Sequence, residues 1–351
     1  MAEYEALIPV NLLTGFLGSG KTTLLQRLLA SPQLANTAVL INEFGEVGLD
    51  HLLLEHVDEE TVVLKTGCVC CTIRGELSDA IRGLYDKRQR GAVPAFERLA
   101  IETTGLADPA PIVFTLMAEP VVRHHFRLGN VIATVDAVNG ELHLDRNPET
   151  AKQVAVADRL VLTKTDIADR DAVARLDERL GRLNRAAPIV HAPSDAIEPD
   201  ALMANDVYDP ASKSEEVRRW LEEEAREAAE SRSHGHAVDV TRHDRDIGTF
   251  CATFERPLDW TAFGLWLAML LHCHGERVLR VKGILNVADM PTPVVIHGVQ
   301  HLVHPPVHLD HWPGEDRRSR IIFIVRGLDR AAIERSLAAF NRLANPDNLA
   351  A

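Results

Sequence analysis

An α/β fold with a parallel sheet, joined to a smaller α+β domain, is predicted by three observations. Short apolar runs recur at helix-separated intervals, a glycine-rich loop links the first run to a helical segment, and after Pro199 the alternation gives way to a different pattern. Strands buried on both faces of a parallel sheet read as near-continuous apolar runs. Such runs occupy residues 8–13, 37–41, 61–65, 98–102, 131–136, 159–163 and 188–191. The clearest helical pattern between them covers 169–185, where Val173, Leu176, Leu180 and Leu183 fall on one stripe. Alternating strand and helix specifies a sheet flanked by helices.

Three segments are expected: a first domain over 1–205, a connection over 206–246 and a second domain over 247–351. The connection is a charged helix, with Ser214 as its N-cap, followed by a polar stretch bearing histidines. In the second domain, strands are expected at 249–255, 277–287, 293–299 and 320–327, with helices from Asp259 to about His272 and over 329–344. No internal repeat is present.

Composition narrows the partners. A chain of 351 residues with 46% hydrophobic and 25% charged content can bury a sizeable core without staples. A formal charge of −13 excludes a sequence-independent grip on nucleic acid, which needs Lys and Arg to neutralise phosphates. No stretch approaches the roughly 20 apolar residues of a membrane span, and the first residues carry neither a basic start nor a long apolar run. A cytoplasmic protein without membrane or nucleic-acid partners is expected. Five cysteines, unevenly placed, do not suit a disulfide framework and leave thiols for metal or catalysis.

The loop after the first strand reads GFLGSGKT, Gly15 to Thr22, and runs straight into the helical TLLQRLLA. This is a P-loop in its strand, loop, helix context, so the expected architecture is a P-loop NTPase sheet. Gly15, Gly18 and Gly20 let backbone N–H groups curl round a β-phosphate, with Ser19, Thr22 and Thr23 at the helix start. Lys21 reaches β and γ oxygens, and Thr22 ligates Mg2+. A glycine-rich turn without nucleotide is the bland alternative.

LTKTD, Leu162 to Asp166, ends a buried strand where a base-reading loop belongs. Asp166 can accept from guanine N1–H and N2–H, whereas adenine offers an acceptor at N1 and no amine at C2. Thr163 stands where the general signature Asn-Lys-x-Asp has Asn, and Lys164 follows it. Alternatively, Asp166 simply caps the next helix. The strand at 98–102 ends in Glu102, followed by TTGLADP, which places a carboxylate and Gly105 as a γ-phosphate sensor would. Glu102 holds Mg2+ through water or orients the attacking water; an acidic strand end with a glycine turn is the alternative.

Cys68, Cys70 and Cys71 crowd four positions just beyond the strand at 61–65. Thiolates select zinc, cobalt(II) or copper(I) and disfavour magnesium, so this is not the nucleotide's own metal. No second Cys or His pair completes a four-ligand zinc site locally. Glu43 or Glu46, water or a client protein can supply the rest; a redox pair and inert thiols are the alternatives. Histidines gather later, at 234, 236, 243, 272, 274, 301, 304, 308 and 311, as a metal buffer or without function. Pro305 and Pro306 forbid a helix there, so His304 and His308 are expected on the surface of a β segment.

Together GFLGSGKTTLL, NEFGEVGLD, GCVCC, ETTGLADP and TKTD resemble the CobW-type GTPases, relatives of HypB and UreG, in order and approximate spacing. LRVKGIL, HGVQHLV, Trp312 and RSRIIFIVRG are similar to that family's second domain. The resemblance implies a GTP-dependent metallochaperone of low intrinsic hydrolysis. Its metal would sit on Cys68, Cys70 and Cys71, with Glu43 and Glu46 in the acidic switch loop. It implies GTP/GDP, Mg2+ and zinc, or cobalt(II) for cobalamin biosynthesis, with a client metalloprotein and a metal-dependent homodimer. Thr163 occurs in that family. Readings from other classes are a P-loop ATPase or kinase with a structural zinc, and an adaptor that binds GTP without turnover.

Overall fold

The structure is a computed structural model and describes residues 7–42, 63–66, 73–192, 199–203, 217 and 247–344. It divides into two units, Met1–Gly181 with Ala187–Val207, and Arg182–Ala186 with Tyr208–Ala351.

In the first unit seven parallel strands form one sheet in the order β3-β2-β4-β1-β5-β6-β7. They are β1 Ile8–Gly15, β2 Thr37–Asn42, β3 Val63–Thr66, β4 Arg98–Glu102, β5 Phe126–Asp136, β6 Arg159–Thr163 and β7 Ile189–His191. The helices are α1 Lys21–Leu29, α2 Ile73–Gln89, α3 Ala110–Ala118, α4 Pro120–His125, α5 Gly140–Arg146, α6 Pro148–Val156, α7 Arg170–Leu183 and α8 Pro199–Met203. β1 and β4 are apolar along nearly their whole length because both faces are covered, and Val10, Leu12, Leu13, Leu99 and Ile101 are buried. On one face Leu24, Leu25 and Leu28 of α1 cluster with Leu13, Val39, Ile132 and Val161 of the strands. Leu176, Leu180 and Leu183 of α7 are buried as expected, while Val173 is half-buried.

β5 is longer than expected. Arg127, Gly129 and Asn130 interrupt the apolar run, yet the strand begins at Phe126. Asn130 is tolerated inside because its N–H reaches Asn11 Oδ1 at 2.9 Å and its Nδ2 donates to Leu202 O at 2.8 Å. The short helix α8 was not expected; it supplies that carbonyl and buries Leu202 and Met203.

The second unit is an antiparallel sheet in the order β11-β10-β9-β13-β8, with β12 paired to β10. Its strands are β8 Ile247–Phe254, β9 Val278–Leu285, β10 Val294–Val299, β11 Leu302–Val303, β12 Val307–His308 and β13 Ser319–Arg326. Its helices are α9 Trp260–His274 and α10 Arg330–Ala344. Asp259 caps α9, its Oδ1 accepting from Ala262 N at 2.7 Å. Phe263, Trp266, Leu267 and Leu271 of α9 pack with Ile333 and Leu337 of α10 over Val281, Ile296 and Phe323 of the sheet. The indole of Trp266 donates to Ser336 Oγ at 2.9 Å, which satisfies its one polar atom. His308 is exposed as expected, but His304 is buried and not on the surface. The chain folds back there, His304 N donating to His297 O at 2.8 Å, and the two imidazoles meet edge to face. Among the described residues no helix is long and apolar enough to cross a membrane.

Phe323 is fully buried, stacked on Phe250 and edge-on to Trp266. Phe323→Ala is expected to cost about 3–5 kcal/mol. Leu343→Ser, at a position 75% exposed, should stay within roughly 0.5 kcal/mol of the parent. Denaturant titration followed by tryptophan fluorescence checks both; equal midpoints would contradict this packing.

Candidate nucleotide and metal site

The site lies where the C-terminal ends of β1, β4, β5 and β6 meet. In a parallel sheet these ends share one edge, and strand order reverses direction on either side of β1, leaving a crevice. Register sets the neighbours: Leu13 pairs with Glu102, Gly15 with Thr134 and Asp136 with Thr163.

The P-loop leaves β1 at Gly15, where φ is +140° and a Cβ would lie 2.3 Å from Thr134 Oγ1. Only glycine fits. Ser19 Oγ shares a hydrogen bond with Thr134 Oγ1 at 2.6 Å, so β5 braces the loop from beneath. Gly18 and Gly20 also have positive φ. Lys21 is buried, and its Nζ donates to Gly15 O at 3.0 Å and Phe16 O at 3.1 Å, which folds the ammonium over the loop. Thr22 Oγ1 donates to Glu102 Oε1 at 2.7 Å, and Thr23 is exposed on the first turn of α1. Thr22 and Glu102 therefore present adjacent hard oxygen donors of the kind Mg2+ takes, and the glycine cradle fits a phosphate chain.

Beyond Glu102, Thr103 is tied to β1 by its N–H to Leu13 O at 2.9 Å and its hydroxyl to Thr14 Oγ1 at 3.0 Å. A turn follows, with Ala107 N donating to Thr104 O at 3.1 Å. Gly105 sits inside it against the P-loop, where a Cβ would lie 2.5 Å from Leu17 N. Two side chains of α6 reach this turn. Gln153 Nε2 donates to Gly105 O at 3.1 Å and Ala107 O at 3.0 Å, and Lys152 Nζ pairs with Asp108 Oδ2 at 2.8 Å.

On the other side, the single Thr163 hydroxyl hydrogen is shared between Ser19 O at 2.8 Å and the more distant Val135 O at 3.2 Å, joining β6 to the P-loop. Lys164 adopts left-handed backbone, φ 59°, and its Nζ lies 2.7 Å from Asp136 Oδ2. Burial pushes the Asp136 carboxyl up, but hydrogen bonds from Lys164, Asn139 and the Val138 N–H and the lysine's charge outweigh it. The net shift is below the usual carboxylate range. Asp166 is exposed, and the capping alternative falls to its neighbour: Asp169 Oδ1 accepts from Asp171 N and Ala172 N at 3.1 and 3.0 Å.

Lys21, Thr22, Glu102, Gly105 and Thr163 thus gather round one loop. Thr134, Asp136 and Gln153 were not singled out from sequence. Asp136 had a signal, since it ends the run at 131–136 as Glu102 ends that at 98–102; Thr134 and Gln153 had none.

Cys68, Cys70, Cys71, Glu43 and Glu46 lie outside the described residues, as do His234, His236, His243 and Ser214. Among the described residues no group of three or more His, Cys, Asp or Glu side chains is arranged to hold a metal ion. The two segments depart from defined points. Asn42, which precedes Glu43, pairs with Thr66, and Ile41 pairs with Glu102.

Residues 9–191 match the family described as the CobW/HypB/UreG nucleotide-binding domain, and residues 247–341 match the cobalamin synthesis protein cobW C-terminal domain. The zinc chaperone YjiA of Escherichia coli is 32% identical over 335 residues, covering 95% of this chain and 99% of that protein. The zinc-regulated GTPase metalloprotein activator 1 of Schizosaccharomyces pombe is 29% identical, covering 80% of this chain and 73% of that protein. The crystal structure of Zn(II)-bound YjiA GTPase from E. coli superposes with a TM-score of 0.70 at 28% identity, over 95% of this chain and 99% of that one. The P-loop sheet and the second, α+β domain expected from the sequence are therefore both present, and the chain belongs to the CobW/HypB/UreG family.

Proposed function

We propose that this chain is a GTP-dependent metallochaperone that hydrolyses GTP to GDP and phosphate and couples this to handing a transition metal, zinc foremost, to a client metalloprotein. One observation carries the coupling: Asn42 and Thr66, from which the acidic and thiol segments depart, are paired, and β2, which carries Asn42, lies next to the strand ending in Glu102. The names of the relatives support the reading, being a zinc chaperone and a zinc-regulated GTPase metalloprotein activator.

In this reading residues 1–205 bind nucleotide, 206–246 connect, and 247–351 form the second domain. GTP lies with its β- and γ-phosphates in the curl of Gly15, Gly18, Ser19 and Gly20. The Lys21 ammonium exchanges the Gly15 and Phe16 carbonyls for phosphate oxygens, which form stronger charge-assisted bonds. Thr22 would hold Mg2+, with Glu102 acting through water; bound there, the ion neutralises charge developing on the β and γ oxygens. Thr23 lies at the helix start beside the phosphates. The Gly105 N–H meets the γ-phosphate, since Gly105 carries no side chain and lies directly against Leu17 of the P-loop. Asp166 reads guanine, with Lys164 held by Asp136 and Thr163 fixing the distance from base loop to phosphate loop.

The carried metal is substrate. Cys68, Cys70 and Cys71 hold it as thiolates, with Glu43 or Glu46 completing the shell; the soft donors exclude magnesium. The protein acts in the cytoplasm, and the incomplete local shell favours a metal-dependent homodimer or a client ligand. Cobalt(II) delivery for cobalamin biosynthesis uses the same donors. A P-loop ATPase or kinase with a structural zinc is the reading from another class.

Lys21→Ala should lower kcat for GTP hydrolysis by about 10²- to 10³-fold, since a donor aimed at developing charge is lost. Parent-level turnover in a phosphate-release assay would reject the proposed site. Asp166→Asn should move nucleotide preference from GTP towards XTP, because the amide donates to the C2 carbonyl of xanthine where the carboxylate accepted from the C2 amine of guanine. Competition binding reads the shift, and unchanged GTP preference would remove Asp166 from the base site.

A further inference from the structure

We propose that Gln153 is a positioning residue for hydrolysis. Its carboxamide holds the turn after β4 so that Gly105 faces the phosphate cradle, and it ties helix α6 to the state of the γ-phosphate. The inference rests on Gly105 sensing the γ-phosphate.

Gln153 is 1% exposed, an unusual place for a long amide, and burying one costs free energy unless its polar atoms are bonded. Both of its bonds go to the same turn. Nε2 donates to Gly105 O, inside the turn, and to Ala107 O, on the residue whose N–H closes it. Those two acceptors fix the amide's orientation, because a flipped amide would set Oε1 against two carbonyl oxygens. Oε1 itself has no hydrogen-bond partner among the described residues. An unbonded buried acceptor is unfavourable, so this arrangement satisfies the loop rather than the side chain.

Lys152, the preceding residue, extends the tie. Asp108 uses Oδ2 for the Lys152 ammonium and Oδ1 to accept from Ala110 N at 3.0 Å, at the start of α3. The turn from Thr104 to Asp108 is thus fastened at one end to β1 through Thr103, at the other to α3, and in between to α6. On the remaining side it touches Leu17 of the P-loop, with no room at Gly105 for even a methyl group. A γ-phosphate that draws the Gly105 N–H must therefore work with or against the Gln153 bonds. The turn thus answers to two partners, nucleotide and α6, and what one gains at its carbonyls or N–H the other must accommodate.

The test compares the full chain with Gln153→Met, which keeps length and loses the donors, and Gln153→Glu, which sets a carboxylate against two carbonyls. Each is assayed with Mg2+ for GTP turnover and for affinity towards GDP and a non-hydrolysable GTP analogue. Gln153→Met should lower kcat and the ratio of analogue to GDP affinity by roughly tenfold each, with GDP affinity within about threefold of the parent, as expected for losing two hydrogen bonds made only to the sensing turn. Gln153→Glu should be slower still near neutral pH and recover as pH falls, because the protonated acid donates one hydrogen, a pH dependence absent from the parent and from Gln153→Met. Parent-like kcat and ratio in Gln153→Met, or equal losses for both nucleotides, would overturn the proposal, as would a pH profile of Gln153→Glu matching that of Gln153→Met. Should both variants fail to fold, Lys152→Gln decides: a two- to threefold fall in the ratio, from one partly exposed ion pair, supports the tie and parent behaviour rejects it. Gly105→Ala separates the underlying reading. If it hydrolyses GTP normally, Gly105 is not the sensor; if it is impaired while Gln153→Met is normal, only the role of Gln153 falls.

Discussion

The hydrogen bond from the Thr22 hydroxyl to the Glu102 carboxylate is the constraint on which the rest depends. It joins the first turn of the P-loop helix to the end of the neighbouring strand, and so fixes the spacing between the phosphate cradle and everything that follows β4. Parallel pairing makes this possible. The ends of β1 and β4 lie on one edge, with Leu13 opposite Glu102, so a carboxylate at a strand end is delivered to the P-loop without a long side chain reaching for it. The turn holding Gly105 follows three residues later and inherits its position from the same register.

Around that bond the loop is held mainly by backbone and short hydroxyl side chains, with Lys21 and Glu102 as the charged groups at its centre. Ser19 and Thr134 brace the loop from below, Thr163 ties it to the end of β6, and Thr103 anchors the turn after β4. Each bond contributes about 1 kcal/mol net, but together they remove the freedom of a glycine-rich segment that would otherwise be costly to order. The result is a preorganised cradle, which suits phosphoryl transfer because that reaction needs positioning and charge stabilisation more than covalent participation. Thr163 shows how a departure from a general signature can be tolerated. A hydroxyl on a β-branched stem reaches the P-loop carbonyl from the strand end, with its carbon atoms 3.5 to 3.6 Å from where a Gly20 side chain would begin.

Much of this was legible from residues alone, for a physical reason. Strands at 98–102 and 159–163 are read to the residue because both faces are buried and nothing polar interrupts them. The P-loop is legible because its chemistry is local, every residue type being set by phosphate geometry within eight positions. β5 extends five residues beyond the apolar run because Arg127, Gly129 and Asn130 break that run, while Asn11 and the carbonyl of Leu202, far away in sequence, help make Asn130 acceptable in the interior. Gln153 and Thr134 were invisible for the same reason, since their significance lies in which element the fold brings beside them. His304 was misplaced because a proline pair excludes a helix but does not say that the preceding residue turns inward.

A P-loop alone does not make a carrier of metal; the link between nucleotide and thiols does. The paired ends of β2 and β3, from which the acidic and thiol segments depart, lie on the same sheet edge as Glu102, with β2 next to the strand that Glu102 ends, and this is the placement the proposed coupling needs. The most direct test is the zinc affinity of the full chain, measured by competition with a chromophoric chelator, first with Mg2+ and a non-hydrolysable GTP analogue and then with GDP. A difference of roughly tenfold or more between the two states, about 1.4 kcal/mol of coupling, is expected and should vanish in Cys70→Ala. Equal zinc affinity in both nucleotide states would contradict the coupling and leave a nucleotide-binding protein with an unrelated zinc.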